Sequence, residues 1–227
     1  VRALHVLRTL VAAGVVPLAL VCAGPDARAA SPVLVACGES ALVDAINTAN
    51  ASGGGSLILA PLCTYALTSA HSPGGAGQAA GLPNITTPIS MAGLGTQITR
   101  ASSAPAFRIF EVDGPSQVPS ANGQLSIASV TISGGDAGLG VGGGIANLGG
   151  TVALTGTTVR DSKGSYGGGI YTDGALTLTG SSVTANTAGV NGGGIFTNAG
   201  AVTLIGSVVV GNTPSNCGAL PPVAPAC

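Results

Sequence analysis

The chain has 227 residues, of which 45% are hydrophobic, 7% charged and 3% aromatic, with a formal net charge of -1 at pH 7. That length supplies one domain with a continuous core, and the apolar content separates it from disordered chains. The near-neutral balance gives no basic field for nucleic-acid phosphates or an anionic membrane surface, so neither is expected as a partner, and few side chains remain for acid, base or metal chemistry.

Arg2 and Arg8 precede an apolar run from Val11 to Ala23, interrupted only by Gly14 and Pro17, and Ala27-Arg28-Ala29 supplies a small-x-small cleavage pattern. These are the parts of a secretory signal, so residues 1–29 are expected to be removed and the remainder exported to the extracellular space. The run is shorter than the roughly 20 apolar residues that span a bilayer, and no membrane span is expected after its removal. Cys22 follows Val21 where lipid attachment asks for a small residue, which disfavours a lipoprotein.

Beyond the signal lie Cys37, Cys63, Cys217 and Cys227, an even set bound for an oxidising compartment. Disulfides are expected rather than a metal site, because neither pair has CxxC spacing and the only histidine past the signal is His71. Pairing Cys37 with Cys63 and Cys217 with Cys227 is favoured because each pair brackets one end of the chain, with other pairings left open.

Residues 30–81 are expected to hold an N-terminal cap and the first strands. Ser40 is positioned as a helix N-cap, Leu42, Val43, Ile46 and Ala49 fall on one helical face, and Asn50 with Gly53-Gly54-Gly55 ends the helix. Such a helix covers the open end of a stacked β structure.

Residues 82–213 carry an internal repeat. Gly142-Gly143-Gly144-Ile145-Ala146-Asn147 returns as Gly167-Gly168-Gly169-Ile170-Tyr171-Thr172 and as Gly192-Gly193-Gly194-Ile195-Phe196-Thr197, with the isoleucines 25 residues apart each time. A second block follows each: Val152-Ala153-Leu154 with Val159, Leu176-Thr177-Leu178 with Val183, and Val202-Thr203-Leu204 with Val209. Leu125-Ser126-Ile127 with Ile132 fits the same template. A fixed period of this length means units that bury their apolar face only by stacking, and the alternation of Leu with Thr inside each unit has the period of strands. Ile145, Ile170 and Ile195 are expected to stack inward on one sheet, with Leu154, Leu178 and Leu204 on another. Residues 214–227, closed by Cys217 and Cys227 and stiffened by Pro221, Pro222 and Pro225, form a terminal loop.

These repeats, with Leu-Thr-Leu-Thr, Ser181-Ser182-Val183-Thr184 and Asn186-Thr187, resemble those of secreted bacterial right-handed parallel β-helix proteins related to the polymorphic outer membrane protein repeats. Cys37 to Asn50 resembles their capping helix, and Leu82-Pro83 to Arg100 their first coil. The resemblance implies an all-β fold, a single-stranded right-handed parallel β-helix of the pectin lyase type with a short N-terminal capping helix. It hardly bears on activity, because that scaffold hosts unrelated functions.

Polysaccharide lyases on that scaffold use clustered acids for Ca²⁺ and a basic residue for proton abstraction, and its glycoside hydrolases use paired carboxylates. Here Glu111 and Asp113 form the best carboxylate pair, one residue apart and pointing the same way on a strand, although a solvated strand end before Gly114-Pro115 is the simpler expectation. Asp161, between Arg160 and Lys163, reads as a surface ion pair, and Asp173 before Gly174 as a turn residue. No nucleophile elbow, zinc helix, phosphate loop or dinucleotide fingerprint occurs, so no catalytic residue, cofactor or metal ligand is assigned. A structural or surface-interaction protein contacting carbohydrate or the cell envelope is expected, with a carbohydrate-active enzyme as the alternative.

If the isoleucines face inward, Ala146, Tyr171 and Phe196 face out. Tyr171 and Phe196 are then expected as an exposed aromatic pair roughly 4.8 Å apart, with Tyr166 and Asp173 adding polar contacts to a ligand.

Overall fold

The computed structural model describes residues 31–75, 78–220 and 227. The expected signal segment, Cys22 and Pro221, Pro222 and Pro225 lie outside the described residues. The chain is all-β apart from one helix. It opens with β1 (Val33–Val35), α1 (Glu39–Ala51), β2 (Gly55–Leu59), β3 (Thr64–Leu67) and β4 (Pro88–Arg100). β5 (Phe110–Asp113), β6 (Gln124–Ser133), β7 (Ile145–Leu148), β8 (Thr151–Thr155), β9 (Thr158–Arg160) and β10 (Lys163–Tyr166) follow. The last repeats contribute β11 (Ile170–Thr172), β12 (Ala175–Thr179), β13 (Ser182–Thr184), β14 (Thr187–Asn191), β15 (Ile195–Thr197), β16 (Val202–Ile205), β17 (Val208–Val210) and β18 (Cys217–Ala219).

Every ladder between these strands is parallel, and each strand pairs with its counterpart in the neighbouring repeat. One stack runs β1-β2-β4-β6-β8-β12-β16, and a second limb of the same sheet joins β6, β9, β13 and β17. The other long stack runs β5-β7-β11-β15-β18. Register is unshifted along the repeats, so like residues superpose: Ile127, Leu154, Leu178 and Leu204 form one column, and Phe110, Ile145, Ile170, Ile195 and Cys217 another. Ile145, Ile170 and Ile195 are fully buried and Leu178 is too, as the alternation predicts, while Leu204 in the final repeat is only partly covered.

Bends between the strands reuse the same chemistry in each repeat. Gly142, Gly167 and Gly192 each adopt φ of 62°, a left-handed turn that other residues enter at a cost. After the bend beyond the second limb, an inward polar residue ties one repeat to the next. Asn186 Oδ1 accepts from the Ser162 amide at 3.0 Å, and Asn212 Oδ1 accepts from the Asn186 amide at 2.9 Å. Their Nδ2 groups donate back to the Val159 and Val183 carbonyls at 3.0 and 2.9 Å. Thr157 and Ser181 do the same at the other bend, the Thr157 amide donating to Ser181 Oγ at 3.1 Å. Backbone groups that the turns would leave bare in the core are satisfied by these ladders.

The cap forms as expected in outline and differs in detail. Leu42 and Ile46 are fully buried against the first strands. The helix begins one residue earlier than the Ser40 reading, at Glu39, with Gly38 as N-cap and no side-chain cap bond. Asn50 lies inside the helix rather than ending it. Its Oδ1 accepts from the Thr86 amide and from the Thr86 and Thr87 hydroxyls, each at 3.1 Å, and its Nδ2 donates to the Asn84 carbonyl, so it binds the cap to the chain entering β4. The boundary expected at residue 81 falls within one continuous sheet, because β2 and β3 both pair with β4. Cys37 is bonded to Cys63 and Cys217 to Cys227, the favoured pairing. No helix of the described residues is long and apolar enough to cross a membrane.

Glu39 fastens the start of α1 to the chain after β3. Burial opposes its ionisation, but the Thr68 hydroxyl at 2.5 Å, His71 Nε2 at 2.9 Å and the Thr68 and Ser69 amides outweigh that and lower its pKa to about 2. A carboxyl whose pKa is lower folded than unfolded contributes stability that is complete above its unfolded value near roughly 4.3 and lost as pH falls through the folded one. Glu39→Gln is therefore expected to lower stability at neutral pH and to have no effect near pH 2, on the order of the folded pKa. Urea titrations of both proteins across that window check this, and a difference that persists undiminished at the acid end contradicts it.

Candidate functional site

The outward face of the β5-β7-β11-β15-β18 sheet carries one continuous row, Glu111, Ala146, Tyr171, Phe196 and Gly218, set by the unshifted register. Both groups of side chains that the sequence singles out belong to this row. Glu111 stands at one end, and the aromatic residues at the other.

At the aromatic end, Tyr166 from β10, Tyr171 and Phe196 come together. The Tyr171 and Phe196 rings stack with centroids 5.9 Å apart and planes 10° from parallel, and Tyr166 meets Phe196 at 4.8 Å with a 56° tilt. With Val141, Asn198 and Leu220 they line a recess of about 300 Å³. The expected exposed pair needs correction. Phe196 is only 2% exposed, and Ala146 is fully buried although it too faces away from the isoleucine column. Alternation fixes which way a side chain points, not whether another segment covers it, and here Tyr166 covers Phe196. The result is a recess with Phe196 buried among the residues that line it and Tyr171 half-exposed, in place of a flat platform. Asp173 is not among the lining residues. Its buried carboxyl has a pKa pushed up by burial, against the pull of the Gly149 amide, and its Oδ1 has no hydrogen-bond partner. It acts on Tyr171 from a distance: burial first, and then the Asp173 charge, raise the Tyr171 pKa, opposed by a hydrogen bond with Asn198.

At the other end the carboxylate pair is buried, not solvated. Glu111 is 1% and Asp113 2% exposed. Their side chains do point the same way, and Asn84 Nδ2 bridges them, donating to Glu111 Oε1 and Asp113 Oδ2 at 2.8 Å each. Arg108, fully buried, pairs with Glu111 Oε2 at 2.8 Å, and the Gly75 amide donates to Glu111 Oε1 at 2.6 Å. Burial pushes Glu111 up and Arg108 down in pKa, each opposed by the partner's charge. The residues around 72–85 fold over this face, making isolated bridges from Ala80 to Arg108 and from Ile85 to Val112. That cover puts the carboxylates out of contact with solvent and gives them a structural task, holding the covering segment to the sheet. Its trace in the sequence is the density of apolar residues around the charges in Phe107-Arg108-Ile109-Phe110-Glu111-Val112-Asp113.

The remaining acids behave as read. Asp161 pairs with Arg160 at the surface, and Asp136 Oδ1 accepts from the Gly138 amide at 2.9 Å in a turn. Among the described residues, no three His, Cys, Asp or Glu side chains gather as a metal site would require. Comparisons with protein families, curated proteins and solved structures found no match.

Removing one partner of a buried ion pair strands the other in a medium of low polarity. Arg108→Met is thus expected to destabilise the fold by roughly 3–5 kcal/mol, and the double change Arg108→Met with Glu111→Leu to recover most of that loss. Denaturant unfolding of the three proteins checks it, and a single variant within about 1 kcal/mol of the parent, the worth of an exposed pair, contradicts the assignment.

Proposed function

We propose that the chain is a secreted right-handed parallel β-helix protein of the kind its repeats resemble, and that it binds a neutral sugar unit of a polysaccharide or of the cell envelope in the Tyr166–Tyr171–Phe196 recess. The observation that carries this reading is the recess itself. Three aromatic rings on neighbouring strands meet an amide, Asn198, and no charged side chain lines the space. A sugar presents an apolar C–H face that packs on an aromatic ring and a rim of hydroxyls that hydrogen-bond to amide and phenol groups. The volume is at the small end of those that hold ligands, which suits one ring rather than a long segment of chain. Export is supported by the two disulfides, which form and persist in oxidising surroundings.

Binding rather than catalysis follows from the distribution of ionisable groups. The carboxylates spaced for acid and base work lie under the covering segment, and the recess has only phenols and an amide. A glycan array followed by calorimetric titration tests the proposal. Tyr171→Ala, at a half-exposed position, is expected to weaken binding by roughly tenfold or more, the loss of about 1.4 kcal/mol of ring contact, with the fold intact. Asn198→Ala is expected to weaken it less. Unchanged affinity in a folded Tyr171→Ala protein rejects the recess as the site and leaves the rings as a packing feature between repeats.

A further inference from the structure

The outer surface changes character in the last repeat. At three outward positions of the β6-β8-β12-β16 stack and its second limb, the unshifted register aligns residues repeat by repeat. One column reads Thr131, Thr158, Ser182, Val208, and the next Ser133, Arg160, Thr184, Val210. The third reads Ala128, Thr155, Thr179, Ile205. Small or polar residues give way to β-branched aliphatics only at the final level. Ile205, Val208 and Val210 are 54%, 52% and 52% exposed. Their strands, β16 and β17, pair on one side only, with β12 and β13, and among the described residues no strand lies against the other side. An open strand edge beside an apolar patch is a template for pairing with another chain.

We infer that this end of the molecule is a docking surface for a second copy of the same chain, the two copies meeting through their final repeats. Charge favours a copy over other partners. From Gly174 to Cys227 the sequence contains no Asp, Glu, Lys, Arg or His, so two copies of this end meet without like-charge repulsion, and nothing here selects a charged partner. The opposite end is not equivalent: α1 lies over the first strands with Leu42 and Ile46 in the core, so the final repeat of one copy meets a helix, not an open repeat, at the start of another. End-to-end growth is blocked, and a two-fold contact between like ends closes at two copies. In that contact the backbone groups left open on β16 and β17 pair across the axis, and Ile205, Val208 and Val210 move out of water.

The preceding repeat supplies the variant that tests this. Val208→Thr with Val210→Arg places in the last repeat the residues that Thr158 and Arg160 already hold in the same columns, so the fold accepts them. Sedimentation of the full chain is expected to give twice the chain mass, reversible on dilution, and the double variant the mass of one chain with an unchanged thermal midpoint. Leu34→Lys, at an exposed position on the first strand, is expected to leave the doubled mass intact. Amide hydrogen exchange on the parent protein gives a reading that needs no variant: protection along β17 should rise with protein concentration. A single-chain mass at every concentration, a mass that grows past two copies, a double variant that still pairs, loss of pairing in Leu34→Lys, or β17 protection independent of concentration each overturns the inference.

Discussion

A parallel strand cannot pair within its own short repeat, so every backbone hydrogen bond here depends on the next repeat arriving in unshifted register. That constraint explains why the repeats resemble one another where they do. The core columns need matching volumes, and so Leu, Ile and Val recur at Ile127, Leu154, Leu178 and Leu204. The turns need one left-handed residue each, and so Gly142, Gly167 and Gly192 share a φ of 62°. The inward bends need a donor and an acceptor at one point, and so Ser162, Asn186 and Asn212 form a ladder that hands a hydrogen bond from level to level. A change in any one column is felt by the levels on both sides.

The same register turns outward positions into rows, and the candidate site follows from that. Glu111, Ala146, Tyr171 and Phe196 are far apart in sequence and adjacent in the sheet. One end of the row is sealed by the segment near Gly75 and Asn84, where buried charge must be matched by Arg108. The other end is open to ligand and is built from neutral groups. The division of labour is electrostatic: charge is used where water is excluded and partners are fixed, and the accessible end relies on ring faces and an amide.

The columns were legible because their signal is local: Ile145, Ile170 and Ile195 announce themselves by spacing, and the Leu-Thr alternation gives their direction. The helix was legible from Leu42, Val43, Ile46 and Ala49, but not its first residue, because Gly38 starts it without a side-chain cap that a sequence pattern could show. The burial of Glu111, Asp113 and Phe196 was not legible. Each is covered by residues from another part of the chain, Asn84 and Gly75 in one case and Tyr166 in the other, and alternation within a strand carries no information about such cover. Asn50 was misread for a related reason, since its partners Thr86 and Thr87 lie beyond an intervening pair of strands. The choice of Tyr166, Tyr171 and Phe196 as a group held, while Asp173 turned out to act on Tyr171 from outside the recess.

Unshifted parallel stacking is the claim on which the core columns, the polar ladders and the outward row all rest, and it is open to direct measurement. Thr177 and Thr203 are outward neighbours in the β12-β16 ladder, paired one to one. Nitroxide labels at these two positions should lie within about 10 Å, the strand spacing of roughly 4.8 Å plus the reach of the labels, and should broaden each other's resonance strongly. A doubly labelled protein whose spectrum equals the sum of the two single labels would contradict the stacking, and with it the outward row that brings Tyr171 to Phe196.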